Sequence, residues 1–173
     1  MRTTQLRQLI TKVDNTLVDG NFSYSCSSGK GGRVPANQKK EGDGASPIGN
    51  WRLKHVYFRA DRMAEPATVL PVTAIKPNDG WCDDPADRNY NKLIERPYPA
   101  SHEKMWRDDY VYDVVIEITH NDNPPISGLG SAIFMHIAKP DYQPTEGCIA
   151  LTLDDLLSVL SRADANTFLT IEG

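Results

Sequence analysis

Residues 131–151 read SAIFMHIAKPDYQPTEGCIAL and join a strand-like apolar run to a histidine and a cysteine. The run ends at His136, and Cys148 follows Gly147 twelve residues later (148 − 136 = 12). This separation suits two adjacent strands, or a strand and a turn, that bring both side chains together. A cysteine after a glycine at a chain reversal can expose its sulfur, and nearby backbone N–H groups can bind the oxyanion formed on attack at a carbonyl. The stretch predicts a cysteine nucleophile with a histidine base, followed directly by a helix-like segment.

The residues around this stretch predict a mostly β fold, because short apolar runs alternate with Gly, Pro, Asn and Asp clusters. Val111–Ile118 and Ala132–Ile137 are apolar enough to be central strands. Strand alternation puts His136 on the face that also carries Phe134 and Ala132. Further strands are expected at Phe22–Cys26, Trp51–Phe58, Thr68–Ala74 and Thr167–Ile171.

One helix is predicted near the end of the chain. Thr152 and Asp155 have the spacing of a capping box, and leucines at 153, 156, 157 and 160 repeat with helical periodicity. This pattern indicates a helix of about three turns packed on the sheet.

Two long segments, residues 30–50 and 76–107, do not fit short strands and turns. Loops of such length inside a compact domain are usually functional or disordered. Aromatic residues in the second segment favour an ordered flap, and the alternative is an Ω-like excursion packed by its own aromatics. Lys39 and Lys40 are expected on a solvated edge, and His102 and His120 in surface loops.

Composition limits the class of protein. With 173 residues, 39% of them hydrophobic, residues 1–173 are expected to form one domain. The net charge is −4, from 19 basic and 23 acidic residues, which argues against a nucleic-acid partner. No segment is long and apolar enough for a transmembrane span, and no secretion signal is visible. Three widely spaced cysteines predict no disulfide framework, and no metal-ligand spacing is present.

Two motifs resemble those of one enzyme family. Residues 42–51, GDGASPIGNW, are similar to the TPxGxF turn of the YkuD-type L,D-transpeptidases, with Ser46, Pro47, Gly49 and Trp51 in the matching places. His136 and residues 145–148, TEGC, are similar to that family's histidine, spacer and Ser/Thr-His-Gly-Cys signature. The order of elements also matches, so the resemblance covers roughly residues 15–171.

The resemblance implies a β-sandwich-like catalytic domain that acts on peptidoglycan stem peptides in the bacterial periplasm or envelope. Cys148 would be the nucleophile, His136 the base, and the carbonyl of Ile137 the group that orients the imidazole. The N–H groups of Gly147 and Cys148 would bind the oxyanion. No cofactor or metal is implied, and we expect a monomer.

Three departures define a divergent TEGC branch. Glu146 replaces the histidine that usually precedes Gly-Cys, and Ala150 replaces an arginine that could anchor a carboxylate. The spacer between His136 and Thr145 has 8 residues (137 to 144), which is shorter than usual for the family. Because a carboxylate near a thiolate opposes its ionisation, activity requires a protonated His136 or a Glu146 turned away. The crosslink could be of the 3,3 or the 1,3 type.

Other residues are assigned to substrate binding. These candidates are Ser131, Ile137, Thr145 and Glu146 beside the cysteine, and Trp81, Asp84, Arg88 and Tyr90 on the flap. The alternatives are a Thr145 that only fixes the cysteine loop and a Glu146 that is a solvated loop carboxylate. Cys148 and His136 could themselves be buried core residues.

Three other functions are compatible with the sequence. The same Cys148 and His136 could serve an L,D-carboxypeptidase or endopeptidase with water as acceptor. A peptidoglycan-binding module that has lost activity is compatible with the changes at Glu146 and Ala150. A general intracellular thiol hydrolase is suggested only by the missing signal peptide.

Overall fold

The computed structural model describes residues 5–173. Its strands are Gln8–Thr11 (β1), Thr16–Val18 (β2), Ser23–Ser25 (β3), Arg33–Pro35 (β4), Ser46–Phe58 (β5), Val72–Ala74 (β6), Asp79–Cys82 (β7), Leu93–Glu95 (β8), His102–Lys104 (β9), Val114–Ile118 (β10), Phe134–Ile137 (β11), Ile149–Leu151 (β12) and Phe168–Ile171 (β13). The helix α1 spans Leu153–Leu160, and 3-10 turns cover Ala36–Gln38 and Pro140–Tyr142. The predicted mostly β fold with a helix near the sheet is confirmed.

The long strand β5 organises the larger sheet. The strands follow the order β12-β11-β10-β5-β13-β1-β2-β3, and β4 and β6 also pair with β5. The first part of β5 pairs with β4 and β13, whereas its second part pairs with β10 and β6. One continuous strand therefore belongs to both halves of the sheet.

The main core lies between these two halves and α1. Leu169 of β13, Met135 of β11 and Leu156 of α1 belong to one buried cluster. The helix begins as predicted, because the Thr152 hydroxyl accepts a hydrogen bond from the Asp155 N–H at 3.2 Å. The expectation that Cys148 directly opens a helical stretch is wrong. Residues 149–151 are fully buried and form β12, because parallel pairing with β11 satisfies their backbone before the helix starts.

The segment from 76 to 107 contains a small three-stranded sheet with the order β8-β7-β9. Trp81 of β7 is buried and packs edge-on against Phe134 of β11, with 4.9 Å between ring centroids. This contact docks the small sheet onto the face of β11 that carries Phe134. The flap is therefore ordered, and one of its aromatics joins it to the larger sheet.

Two polar residues expected at the surface are buried. Lys39 is 2% exposed and donates to the Asp43 carboxylate and to the Lys40 carbonyl oxygen, so the prediction of a solvated edge is wrong there. His120 is also buried, because its ring packs edge-on against Trp51 and a ring nitrogen lies 3.0 Å from the Leu129 carbonyl oxygen. The charge of a residue and its position in a loop do not predict burial of its side chain by segments distant in sequence.

Among residues 5–173, no helix is both long and apolar enough to cross a membrane.

Candidate active site

The pairing of β11 with β12 brings His136 and Cys148 to one face of the sheet. His136 is the register partner of Ala150 in this parallel pair. Cys148 lies two residues before Ala150, so strand alternation directs its side chain to the same face. Both side chains line a cavity of about 310 Å³, together with Ala132. Phe134 does not line it, but the Tyr112 ring packs against both Phe134 and His136, as expected for side chains on one face of β11.

Hydrogen bonds fix the turn that carries the cysteine. The Thr145 hydroxyl donates to the Cys148 carbonyl oxygen at 2.7 Å and accepts from the Gly147 N–H at 3.1 Å. From the other side, the Ser46 hydroxyl donates to the Gly147 carbonyl oxygen at 2.8 Å and accepts from the Gly29 N–H at 2.9 Å. Thr145 and Ser46 therefore hold the TEGC turn against the start of β5.

Gly147 is required by both conformation and space. Its φ is +129°, and a Cβ placed there would lie 2.7 Å from the Ala45 carbonyl oxygen and 2.9 Å from Ile133 Cδ1. We expect Gly147→Ala to lower the free energy of unfolding by about 2–5 kcal/mol, because backbone strain and overpacking add. Denaturant titration measures this loss. The matched variant is Gly20→Ala, at another positive φ but in open space, and an equal loss in both would contradict the proposed clash.

The Cys148 thiol is neutral in its resting environment. Its sulfur is buried, with the S–H donating to the Ala132 carbonyl oxygen at 3.2 Å and the sulfur accepting from the Phe134 N–H at 3.3 Å. Burial raises the pKa of this thiol to about 12, although the Phe134 N–H acts in the opposite direction. At neutral pH the sulfur therefore keeps its proton.

The His136 ring is held in one orientation. Its Nδ1 lies 2.9 Å from the Ile137 carbonyl oxygen, and a neutral ring can make this contact only with Nδ1 protonated. The Nε2 lone pair is then free to accept a proton. Burial lowers the pKa of the imidazole to about 4, so the ring is neutral at pH 7. Within residues 5–173 no hydrogen bond joins this ring to the Cys148 thiol, so the resting pair is thiol and neutral imidazole.

Glu146 points toward the surface. Its carboxylate pairs with Lys30 at 2.6 Å, and both side chains are mostly exposed. Exposed ion pairs contribute little to stability, so this contact orients the carboxylate rather than fixing the turn. Glu146 nevertheless lines the cavity, and its charge adds to the effect of burial in raising the pKa of the Cys148 thiol.

The sequence-based candidates for substrate binding separate into two groups. Ser131, Thr145 and Glu146 line the cavity, and Ile137 contributes its carbonyl oxygen behind the His136 ring. The four flap residues Trp81, Asp84, Arg88 and Tyr90 are not among the residues lining this cavity. Trp81 is buried against Phe134, and Arg88 is exposed.

Tyr90 does not line the cavity but contacts a residue that does. Its hydroxyl donates to the Glu41 carboxylate and accepts from the Gly130 N–H at 3.0 Å. It therefore positions Glu41, which does line the cavity. Five cavity residues had no signal in the sequence, namely Glu41, Glu103, Arg107, Tyr112 and Lys139. Glu103 lies in β9 of the small sheet and Arg107 follows that strand, whereas Glu41 lies in the loop before β5, Tyr112 just before β10 and Lys139 just after β11.

No group of three or more His, Cys, Asp or Glu side chains that could hold a metal ion occurs within residues 5–173.

Comparisons with known proteins agree with the motif assignment. A family model described as the L,D-transpeptidase catalytic domain, YkuD, matches residues 4–171. No curated protein sequence matches the chain. Among solved structures, L,D-transpeptidase 1 of Mycobacterium tuberculosis is similar at 12% sequence identity and a TM-score of 0.45. The match covers 98% of this chain and 60% of the mycobacterial chain. Because the family model spans nearly the whole sequence, the chain belongs to the YkuD family of L,D-transpeptidase catalytic domains.

Proposed function

We propose that this protein is a peptidoglycan L,D-transpeptidase with Cys148 as nucleophile and His136 as base. The observation that carries the proposal is the placement of both side chains on one cavity, with His136 Nδ1 bound to the Ile137 carbonyl oxygen and Nε2 left as the proton acceptor. The substrates are stem peptides of the bacterial cell wall, which places the reaction in the periplasm or envelope.

Acylation begins when a substrate carbonyl displaces the thiol from its hydrogen bond with Ala132. His136 Nε2 takes the thiol proton as the sulfur attacks the carbonyl carbon, and the carbonyl oxygen becomes an oxyanion. The Gly147 N–H already donates to Thr145, whereas the Cys148 N–H has no partner within the described residues, so Cys148 supplies the oxyanion donor. The imidazolium then gives its proton to the leaving amine, and a thioester remains.

Transfer repeats these steps with a second stem peptide. The acceptor amine gives a proton to His136 Nε2 and attacks the thioester carbonyl. Collapse of the tetrahedral adduct breaks the C–S bond, forms an amide crosslink, and returns the proton to sulfur. Because both groups are neutral at rest, no separated charges need to be buried before the substrate arrives.

Product analysis tests the proposal. The purified protein is incubated with disaccharide-tetrapeptide muropeptides, and the products are resolved by mass. We expect crosslinked dimers and release of the fourth residue, because the thioester passes its acyl group to an amine. Trimmed monomers without dimers would instead establish a carboxypeptidase that uses water. Binding to sacculi without any product would establish an inactive binding module.

A further inference from the structure

A second cavity, of about 480 Å³, lies beside the candidate active-site cavity. Pro144 lines both cavities, whereas Tyr142 lines only the second one. The loop that leads to Cys148 is therefore a wall shared by the two. Asp141 and Tyr142 in this loop have φ of +55° and +49°, a left-handed conformation that is costly for residues other than glycine and is concentrated at functional sites.

The lining of the second cavity is cationic. Arg33 and Lys30 line it, and no Asp or Glu side chain of residues 5–173 does. Lys30 pairs with Glu146, whereas Arg33 makes no ion pair with any group of the described range, including Gly173, which also lines the cavity. The cavity therefore contains one cation that no ion pair neutralises.

Arg33 also keeps free hydrogen-bond donors. A guanidinium has five N–H groups, and three of those on Arg33 donate to the carbonyl oxygens of Thr11, Lys12 and Glu172. The other two, one of them on Nε, have no partner within residues 5–173. Two N–H groups of one guanidinium suit two oxygens of a carboxylate or a phosphate. The backbone thus holds Arg33 in place, and its charge can still bind an oxyanion.

A buried hydroxyl of the same cavity lacks a partner as well. Ser27 is 2% exposed and lines the second cavity, and its Oγ makes no hydrogen bond within residues 5–173. The backbone of Ser27 is fixed, because its N–H and its carbonyl oxygen bond to Ala150 at 2.9 and 3.0 Å. An unsatisfied buried hydroxyl is costly, and a ligand oxygen that accepts from it would remove that cost.

We propose that Arg33, Ser27 and Lys30 form a binding site for a small organic oxyanion, outside the active-site cavity. The shared chemistry is a carboxylate or phosphate group that takes the free N–H groups of Arg33 and the Ser27 hydroxyl. Val13 and Ile48 also line the cavity, so the anion carries a short apolar group. A cavity of this size and mixed lining is typical of small-molecule sites.

The site adjoins the TEGC turn. The Lys30 N–H donates to the Thr145 carbonyl oxygen at 2.8 Å, and the Thr145 N–H donates to the Ser28 carbonyl oxygen at 3.0 Å. An anion bound to Lys30 also competes with Glu146, whose side chain lines the active-site cavity. A ligand in the second cavity therefore contacts the segment that holds the turn, although its binding requires no reaction at the cysteine.

An NMR titration of the isotope-labelled full-length protein locates and measures the binding. The probes are butyrate, the uncharged butyramide of similar size, and propyl phosphate. We expect amide shifts at Gly29, Lys30 and Gly32, and binding of an anion at least about tenfold tighter than that of butyramide, because charge-assisted hydrogen bonds are the strong ones. Either anion supports the site, and the tighter one identifies the oxyanion. Equal binding of all three probes, or shifts confined to active-site cavity residues such as Ala132, would overturn the inference.

Variants identify the groups that bind the anion. Ser27→Ala should weaken binding about 3–10-fold without lowering the stability of the ligand-free protein, because it removes an unsatisfied hydroxyl. Arg33→Lys should weaken binding about 10–100-fold, since lysine keeps the charge but loses the paired N–H groups. The matched variant Arg52→Lys is exposed and outside both cavities, and it should bind normally. Circular dichroism verifies folding, because Arg33 also holds three carbonyl groups. Undiminished affinity in every folded variant of Ser27 and Arg33 would overturn the inference.

Hydrogen exchange tests the link to the TEGC turn. At an anion concentration about ten times its Kd, exchange of the Thr145 N–H should slow by up to about tenfold, because opening of the turn would require release of the anion. An unchanged rate with the anion bound would refute this link. Anion binding by a protein without transpeptidase activity would refute the proposed function and keep the site, and crosslinking by a protein that binds no anion would do the reverse.

Discussion

Cys148→Ala is expected to form no thioester and no crosslink while keeping its fold. The sulfur is the nucleophile in both proposed steps, and no other cysteine lines the cavity in the described range 5–173. Loss of a nucleophile lowers the rate by about 10⁴-fold or more. The fold should survive, because the substitution removes one buried sulfur and two weak hydrogen bonds, which costs about 1–2 kcal/mol.

Intact-protein mass spectrometry after mixing with stem peptide measures the result. The natural protein should gain the mass of the acyl group, and Cys148→Ala should not. Cys26→Ala is the matched variant, because Cys26 is also buried and free but does not line the cavity. It should acylate like the natural protein. Crosslinking by Cys148→Ala at the natural rate would remove the mechanism.

The paired positions of His136 and Cys148 could be predicted because they depend on local sequence. The apolar run fixes β11, the glycine fixes the turn, and alternation then determines which side chains share a face. The family resemblance implied the Ile137 carbonyl oxygen as the partner of the imidazole, and this hydrogen bond is present at 2.9 Å. Family membership followed from the two motifs, and the mostly β fold from the short apolar runs between turn-forming residues.

The rest of the cavity could not be predicted, because it depends on contacts distant in sequence. Glu41 and Glu103 are 62 residues apart (103 − 41 = 62) and lie in polar segments with no periodicity. Glu103 reaches the cavity because Trp81 docks the small sheet on Phe134. Glu41 instead lies in the loop before β5, where its N–H donates to the Gly128 carbonyl oxygen and its carboxylate accepts from Tyr90. The aromatic residues that predicted an ordered flap are therefore the residues that pack it on the larger sheet. They are not the residues that face the cavity.

The protonation states of Cys148 and His136 also could not be predicted from the sequence. The motifs do not decide whether Cys148 is a thiol or a thiolate, whereas the burial of Cys148 and His136 in the fold favours the uncharged pair. Motifs specify which groups meet, whereas the pKa of each group depends on how much water the completed fold excludes.

His136→Gln is expected to lower the rate of acylation by about 10³-fold, because glutamine fills similar space but cannot take the thiol proton. His55→Gln, which changes a histidine outside this cavity, should keep the natural rate. Stopped-flow acylation measured against pH separates a base from a residue that only packs. Such a base has to be uncharged to work, and the pKa of His136 is lowered to about 4 while that of Cys148 is raised to about 12.

The two pH profiles should therefore differ in shape. In the natural protein the rate should stay level from about pH 5 through neutrality and fall only as pH drops toward 4, where the imidazole gains a proton. In His136→Gln hydroxide must remove the thiol proton, so the rate should rise about tenfold per pH unit. A fall in rate near pH 6.5 in the natural protein would mean that the His136 ring is hydrated and has the usual pKa of a histidine. Parallel profiles for the two proteins would mean that His136 takes no proton, since only a group that accepts one can remove the dependence on hydroxide.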